Sequence, residues 1–396
     1  MIPGGWKKKP LEHVAFIQTG IAKGSKKLKD SVELPYLRVA NVQDGFLDLS
    51  IIKTIKVDKT KIDRYLLQVG DVLLTEGGDF DKLGRGTVWK GEIDKCVHQN
   101  HVFVARPKNG VILSEYLSLL TGSPYGKLYF LKCSKQSTNL ASINSTQLKE
   151  FPVLLPPIDE QKAIANLLLY WNQAIEKTER LISAKEKRFS WLLNKLINLE
   201  SVKGEWRKVK LGEVAVIAPR EKLLWVEGET LLAVRLHCRG VEKRLRIKPT
   251  MTKRGRPYFR RFAGEFLIGR QNFHNGGFGI VPPELDGLIA SNAITSLRAK
   301  KSLLDTDFLF FFFSRPDYYK RIGYIMDGTG QKEISEKQII SLPLKLPTID
   351  QQKQIASILN TARREIDLLE KQAEAYRKQK RGLMQKLLTG HWRVKA

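Results

Sequence analysis

Two stretches of the chain share one long-period pattern of apolar and polar positions. In the first, Leu168, Ile175, Ile182, Phe189 and Leu196 recur every seven residues, interleaved with Ile164, Trp171, Thr178, Lys185 and Leu192. In the second, Leu359, Ile366, Ala373, Lys380 and Leu387 do the same, interleaved with Ile355, Ala362, Leu369, Tyr376 and Leu383. A seam sustained for nearly five heptads predicts a long helix that packs on another helix. Each runs about 40 residues, on the order of 60 Å. Leu168, Ile175, Leu196, Leu359, Ile366 and Leu387 are the expected packing positions of this spacer.

Both helices begin on the same words. "LPPIDEQKAIANLLL" starts at Leu155 and "LPTIDQQKQIASILN" at Leu346, an offset of 191. Thr348 and Gln351 form a capping box in the second copy, while Pro157 holds the cap position in the first. The repeat extends upstream, where "INSTQLKEFPVLLP" from Ile143 meets "ISEKQIISLPLKLP" from Ile334. Weaker echoes join "GWKKKPLEHVAFI" to "EWRKVKLGEVAVI" and "GDVLLTEGG" to "GEFLIGRQN", and the chain closes on a third fragment, "HWRVK". The unit is a globular domain followed by a long helix, used twice. Its reappearance at the C-terminus predicts that the chain end returns to the chain start.

The segments before the helices mix short β-rich runs, such as "HVFVAR" and "GDVLLT", with Gly and Asn turns and one or two helices. The fold class is therefore α+β: two α+β domains separated by a long antiparallel two-helix coiled coil, with an internal pseudo-twofold repeat. The expected segments are 1–156 and 200–347 for the domains, 157–199 and 348–389 for the helices, and 390–396 for a tail. Such an arrangement is a dumbbell with a rigid spacer.

Charge changes this picture into a functional one. Lysine and arginine number 68 against 41 acidic residues, a formal charge of +27, which favours a polyanionic partner and nucleic acid first. The N-terminus has no apolar stretch of secretory type, and the "FLFFFF" run is too short to span a bilayer, so no membrane role and a cytoplasmic location are expected. Three scattered cysteines without zinc-ligand spacing fit a reduced compartment and no metal. The domains differ in how they carry charge: 19 Lys and 4 Arg over 1–156, but 13 Lys and 14 Arg over 200–347. Arginine forks read guanine edges and clamp phosphates, so the two halves are expected to read different sequences.

The candidate DNA-binding residues are polar and basic groups in turn segments. In the first domain they are Lys23, Lys26, Lys27, Arg38, Asn41, Gln43, Lys82, Arg85, Gln99, Asn100 and His101. In the second they are Arg239, Arg244, Arg246, Lys253, Arg254, Arg256, Arg260, Arg270, Gln271, Asn272, His274 and Asn275. Trp171, Phe189 and Tyr376 are bulky seam residues expected at a subunit interface. Lys185 and Lys380 each fall in the seam of one copy, with Glu179 or Glu370 as expected neutralising partners.

No catalytic residue is expected. Glu160-x-Lys162 matches half of a metal-dependent nuclease site, yet the second copy has Gln351 at the matching position, and helix N-termini favour acidic residues for dipole reasons alone. The chain has no phosphate-binding GxxxxGK[ST] loop and no N/D-P-P-Y/F motif.

The repeated "LPPIDEQKAIA"/"LPTIDQQKQIA", the closing "KRGLMQKLLTG", and the strings "VHQNHVFVARP" and "GDVLLTEGG" together resemble the specificity (S) subunit of type I restriction-modification systems over nearly the whole chain. The resemblance implies that each domain reads one half of a bipartite asymmetric site in double-stranded DNA, with the helices setting the unread gap. It further implies two modification (M) subunits docked on the helices, bringing S-adenosylmethionine and methylating adenine. Two restriction (R) subunits with ATP and Mg complete that family's larger complex, and the S subunit itself holds no cofactor. The rival readings are a stand-alone nuclease or methyltransferase and a coiled-coil nucleic-acid-binding scaffold.

Overall fold

The computed structural model describes residues 3–22, 30–78, 80, 83–136, 141–197, 206–250, 257–326 and 333–394. It divides into two compact units, one made of 1–179 with 371–396 and the other of 180–370. The long helices run Ile158–Ile197 and Ile349–Leu387. Each therefore gives one part of its length to each unit.

In the first unit a four-stranded antiparallel sheet has the order Ala15–Thr19, Val102–Pro107, Val72–Thr75, Gly86–Val88. The run "VLLT" is buried throughout because both faces of its strand are covered. Val72 and Leu74 enter the main core with Phe103, Tyr116, Leu117 and Phe151, while Leu73 faces Leu37, Trp89 and Val104 on the other side. A second sheet orders Lys53–Asp58, Ser31–Leu37 and Val97–His98, the last pair parallel. Ile164 and Leu168 of the first long helix meet Met384, Leu387 and Leu388 in the same core, so the helix parts here are antiparallel.

The second unit repeats this plan. Its main sheet orders Ala215–Ile217, Ile294–Ala299, Phe266–Gly269, Phe278–Ile280, and a second orders Val241–Arg244, Leu231–Val234, Ile289–Ser291, Tyr258–Arg260. Again alternate residues serve two cores: Phe266 and Ile268 join the large one, and Leu267 joins Leu232, Val281 and Ala290. The "FLFFFF" run lies in the helix Thr306–Phe313, capped by Asp305, whose carboxylate accepts from Phe308 N at 2.8 Å. Phe313 stacks on Tyr318 with ring centroids 5.2 Å apart. Leu193 and Ile197 pack there with Ala356 and Leu359, again antiparallel.

The shared words have shared chemistry. Gln161 and Gln352, one residue beyond the tempting Glu160 and Gln351, are buried at the starts of the two helices. Gln161 Nε2 donates to Pro156 O at 2.9 Å and Val111 O at 3.1 Å, and its Oε1 accepts from Leu113 N at 2.9 Å. Gln352 makes the same three bonds, to Pro347 O, Leu303 O and Asp305 N, at 3.0, 3.1 and 2.9 Å. Each glutamine thus latches its helix to the loop leading into a domain helix, satisfying buried backbone groups that would otherwise be orphaned. The acidic residue of "GDV" and "GEF" is a second shared device: buried Asp71 takes Arg106 Nε at 2.7 Å, and buried Glu265 takes Arg298 Nε at 2.8 Å.

The capping box expected at Thr348 is present, with Gln351 N donating to Thr348 Oγ1 at 3.4 Å and Thr348 N to Gln351 Oε1 at 3.2 Å. The chain end does return to the chain start: Arg393 Nη1 donates to Gly4 O at 3.0 Å.

Candidate nucleic-acid interface

In the first unit three turns converge at one end of the main sheet. The turn carrying Gln99, Asn100 and His101 is fixed from beneath by His98, which is buried and donates from Nδ1 to Val102 O at 2.7 Å. Burial pushes this imidazole down to about 4, against a smaller opposing effect of the Val102 bond, so His98 is neutral and structural. Asn100 N donates to Ile21 O at 3.0 Å, and Glu76 N to His101 O at 3.0 Å. Outside, exposed His101 pairs through Nδ1 with the Glu76 carboxylate, and Asn100 Nδ2 lies 3.3 Å from His101 Nε2.

Arg85 belongs to the neighbouring hairpin, where Thr75 N donates to Arg85 O at 2.8 Å. Its Nη1 reaches Gln43 Oε1 at 2.8 Å, and Gln43 Nε2 holds Ala40 O at 2.7 Å. Arg38 Nη2 donates to Ile51 O at 3.1 Å. Buried Nε atoms of both Arg38 and Arg85 have no acceptor. The set Arg38, Gln43, Arg85, Gln99, Asn100 and His101 is therefore a fixed polar surface on crossed turns. Asn41 does not join it: this side chain is buried, takes Arg38 N on Oδ1 at 3.0 Å, and spends Nδ2 on Asp48 O and Ile51 O. It shapes the turn and leaves no group for a base. Lys23, Lys26, Lys27 and Lys82 lie outside the described residues.

In the second unit the counterpart of the hairpin is the turn Arg270–Gly277. Arg270 pairs with Glu333 at 2.7 Å, and the short 3-10 helix Phe273–Asn275 presents Asn272, His274 and Asn275 beside Gln271. Gly276 and Gly277 stand where any side chain collides: a Cβ on Gly276, at φ +71, meets Cys238 N at 2.9 Å, and one on Gly277 meets Asn272 O at 2.7 Å. That close approach seats the turn containing Arg235 and Arg239 on it, with His237 N donating to Asn275 O at 2.8 Å. His237 and Cys238 both take left-handed backbone, φ 59 and 57, to make the turn. Buried His274 Nδ1 has no partner.

The remaining second-unit candidates fall elsewhere. Exposed Arg244 and Arg246 lie at the far end of the Leu231–Arg244 hairpin, and Arg260 is held by Glu229 at 2.7 Å and Gly287 O at 2.7 Å. Lys253, Arg254 and Arg256 lie outside the described residues. Sequence reading passed over Arg220, which pairs with Glu336 beside Arg270, and Arg235, which pairs with Glu242 at 3.4 Å. Arg220 had no local signal, since Glu336 lies far along the chain, and the Arg235–Glu242 spacing is too common to single out.

Trp171 and Tyr376 face each other at 5.5 Å and 78°, and Phe189 packs on Phe311 at 6.1 Å; all three remain half-buried. Heptad side chains point into the seam, where aromatic bulk is used as packing. Leu168, Leu359, Ile366 and Leu387 are buried, with Ile175 and Leu196 half-buried. On the first helix Leu167 and Tyr170 are exposed in the first unit, and Leu181 and Trp191 in the second.

Lys185 is neutralised by Glu365 at 2.5 Å, not by Glu179 or Glu370; Glu179 is taken by Arg377, also at 2.5 Å. Lys380 is largely buried, which lowers its pKa; the charges it senses are Asp44 and Lys127.

Glu160 is already committed. It accepts Arg393 Nε at 2.6 Å and Nη2 at 2.8 Å and Trp6 Nε1 at 3.0 Å. Burial raises its carboxyl, and these bonds outweigh that effect, leaving it below the usual Glu range. Its role is that of a clamp. Among the described residues no three His, Cys, Asp or Glu side chains group as a metal site, and no helix is long and apolar enough to cross a membrane.

A family model described as the type I restriction modification DNA specificity domain matches residues 3–185 and again 203–375. The MjaX type I restriction enzyme specificity subunit of Methanocaldococcus jannaschii is similar at 25% identity, covering 100% of this chain and 95% of that protein. The MjaVIII specificity subunit from the same organism is 22% identical over 91% of this chain and 86% of its own length. Among solved structures, a chain from a study of complex assembly in a type I R-M system aligns with TM-score 0.60 at 15% identity, covering 98% of each chain. The S subunit from M. genitalium aligns at 0.59 and 14%, over 98% of this chain and 96% of that one. These two likenesses establish the shared fold.

Proposed function

The chain belongs to the type I restriction-modification DNA specificity family and is a specificity subunit with two such domains; from that premise we propose how it divides the work. The first unit reads one half-site with Arg38, Gln43, Arg85, Gln99, Asn100 and His101. The second reads the other with Arg239, Arg270, Gln271, Asn272, His274 and Asn275, joined by Arg235. The observation that carries this is the matched position of the two reading turns. Each follows the central strand of the main sheet, Val72–Thr75 or Phe266–Gly269, on one scaffold with different side chains. A common frame with exchanged readers is what two different half-sites require.

The two long helices set the unread gap between the half-sites and dock modification subunits, with exposed Leu167 and Tyr170 serving in the first unit and Leu181 and Trp191 in the second. Those subunits supply S-adenosylmethionine and transfer methyl groups to adenine, and restriction subunits supply ATP-driven cleavage; this chain is non-catalytic and acts in the cytoplasm. In support, the one carboxylate with a nuclease-like neighbour is sealed under Arg393 and Trp6.

The test uses the chain assembled with its modification subunit and duplexes of its own target. Binding should be sequence-specific and steeply salt-dependent, each neutralised phosphate adding about 0.9 to the log-log slope. Removing one heptad from both long helices should shorten the unread gap and leave the half-site letters unchanged. Sequence-blind binding, or altered letters with an unchanged gap, would refute the reading.

A further inference from the structure

In the second unit Arg315 stands just before the helix Pro316–Ile322, only 6% exposed, with its guanidinium over the Phe312 ring at 4.3 Å. Its Nε donates to Phe312 O at 3.1 Å, and its Nη1 to Ile197 O, at the end of the first long helix, at 3.4 Å. A guanidinium has five N–H donors, so among the described residues these two bonds leave three unspent. Nor does a described carboxylate form an ion pair with it: its neighbour Asp317 eases the charge from a distance and lies 3.9 Å from Arg321. A buried cation without an ion pair is costly to keep.

The internal repeat shows that the local turn does not need this charge. The matching residue of "SPYGK" in the first unit is Ser123, also buried and also followed by proline. Its hydroxyl donates to Leu120 O at 2.6 Å, three residues back, the same bond that Arg315 Nε makes to Phe312 O. A serine closes the turn in one unit, so most of the guanidinium in the other is free for a different purpose.

Arg315 opens onto a cavity of about 700 Å³ that Lys208, Lys210, Arg321 and Lys345 also line, with Glu213 and Asp317 as the acidic groups. Glu213 is turned to its own loop, accepting from Lys210 N at 3.0 Å. Five cations against two carboxylates leave an excess of three positive charges in one concavity. A phosphate monoester, carrying about −1.5 to −2 charge at neutral pH, meets that excess better than a carboxylate does. Its oxygens also suit the fork of an arginine. The cavity has the size of a small-molecule site, and Val209, Leu344 and Tyr318 give it apolar lining for an organic part. A duplex backbone fits less well, because a guanidinium at the floor of a concavity is out of reach of phosphates on a broad rod. We propose that this pocket binds a small phosphate monoester, with Arg315 gripping the phosphate and Lys208, Arg321 and Lys345 closing round it.

The experiment titrates the full-length chain with inorganic phosphate at constant ionic strength, by calorimetry and hydrogen-deuterium exchange. One saturable site should appear, with protection gained at 207–210, 315–321 and 343–345. AMP, a phosphate monoester, should compete for it, and adenosine, which lacks the phosphate, should not. Arg315→Met, which keeps an apolar stem on Phe312, should weaken phosphate binding at least tenfold. Lys208→Gln with Arg321→Gln should weaken it at least threefold without moving thermal unfolding, because both side chains are exposed. The absence of a saturable site in the wild type, unchanged binding in both variants, or adenosine competing as well as AMP would overturn the proposal. Displacement of the phosphate by a short duplex of unrelated sequence would assign the pocket to the DNA backbone and overturn it equally.

Discussion

Arg393, three residues from the C-terminus, grips Glu160 at the start of the first long helix through two bonds of 2.6 and 2.8 Å. The same guanidinium reaches Gly4 O and lies 5.8 Å from the Trp6 ring centroid. Three distant stretches of chain, the first few residues, the helix start and the tail, are thus tied in one unit by a single arginine. Replacing Arg393 with Ala should destabilise the protein, by less than breaking a fully buried pair would because the Arg393 side chain is half-exposed. Denaturant unfolding followed by far-UV circular dichroism reads this.

The clamp also has a pH signature. Glu160 is held below its unfolded pKa, so its contribution is present in full above the unfolded value and is lost as pH falls through the folded one. Glu160→Gln should flatten the acid limb of the stability profile and lower the plateau at neutral pH. An unchanged acid limb in the variant would show that the pair contributes nothing.

His98 gives a second limb at higher pH. Its folded pKa of about 4 lies below the ordinary value of 6.5, so the unfolded chain binds the extra proton and stability falls as pH drops from about 6.5 toward 4. His98→Gln, which keeps a donor without titrating, should remove this limb of the stability profile.

Much of this fold was legible because it is written twice. The heptads of Leu168 and Leu359 fixed the long helices, and the Thr348 box fixed where the second begins. What the letters hid was the difference between neighbours. Glu160 looked chemical and Gln161 looked incidental, yet Gln161 makes the latch and Glu160 the clamp, because the partners, Leu113, Val111 and Arg393, are between 48 and 233 positions away. Asn41 failed as a reader for the same reason: a turn asparagine facing solvent and one facing Asp48 O are the same letter. A stripe likewise does not say what its aromatics touch: Trp171 meets Tyr376, and Phe189 meets Phe311.

The latch makes a matched prediction in the two units. Gln161→Leu and Gln352→Leu should each cost about 2 to 4 kcal/mol, since each strands buried backbone groups on both sides of the junction. Hydrogen exchange should show the damage local to one unit: at Val111 and Leu113 for the first variant, at Leu303 and Asp305 for the second. Equal loss in both units from either change would mean that the latch is not what joins helix to domain.

The readers should also act separately. Arg85→Ala should relax one position of one half-site by about 1 to 3 kcal/mol if the fork meets a base edge, and Arg270→Ala should do so in the other half-site. Competition binding with single-base variants of the target separates a base contact, which changes the ranking of sequences, from a phosphate contact, which weakens all of them alike.

The central claim is that this one chain chooses the sequence by two independent half-site readings held at a fixed separation. Single-molecule sequencing of methylated adenines in the host genome, with and without the gene, measures that choice directly. The account predicts one bipartite asymmetric motif with a constant unread gap, methylated in the wild type and unmethylated in the deletion strain. A methylation pattern that survives the deletion, or a lost motif that is one uninterrupted block, would contradict it.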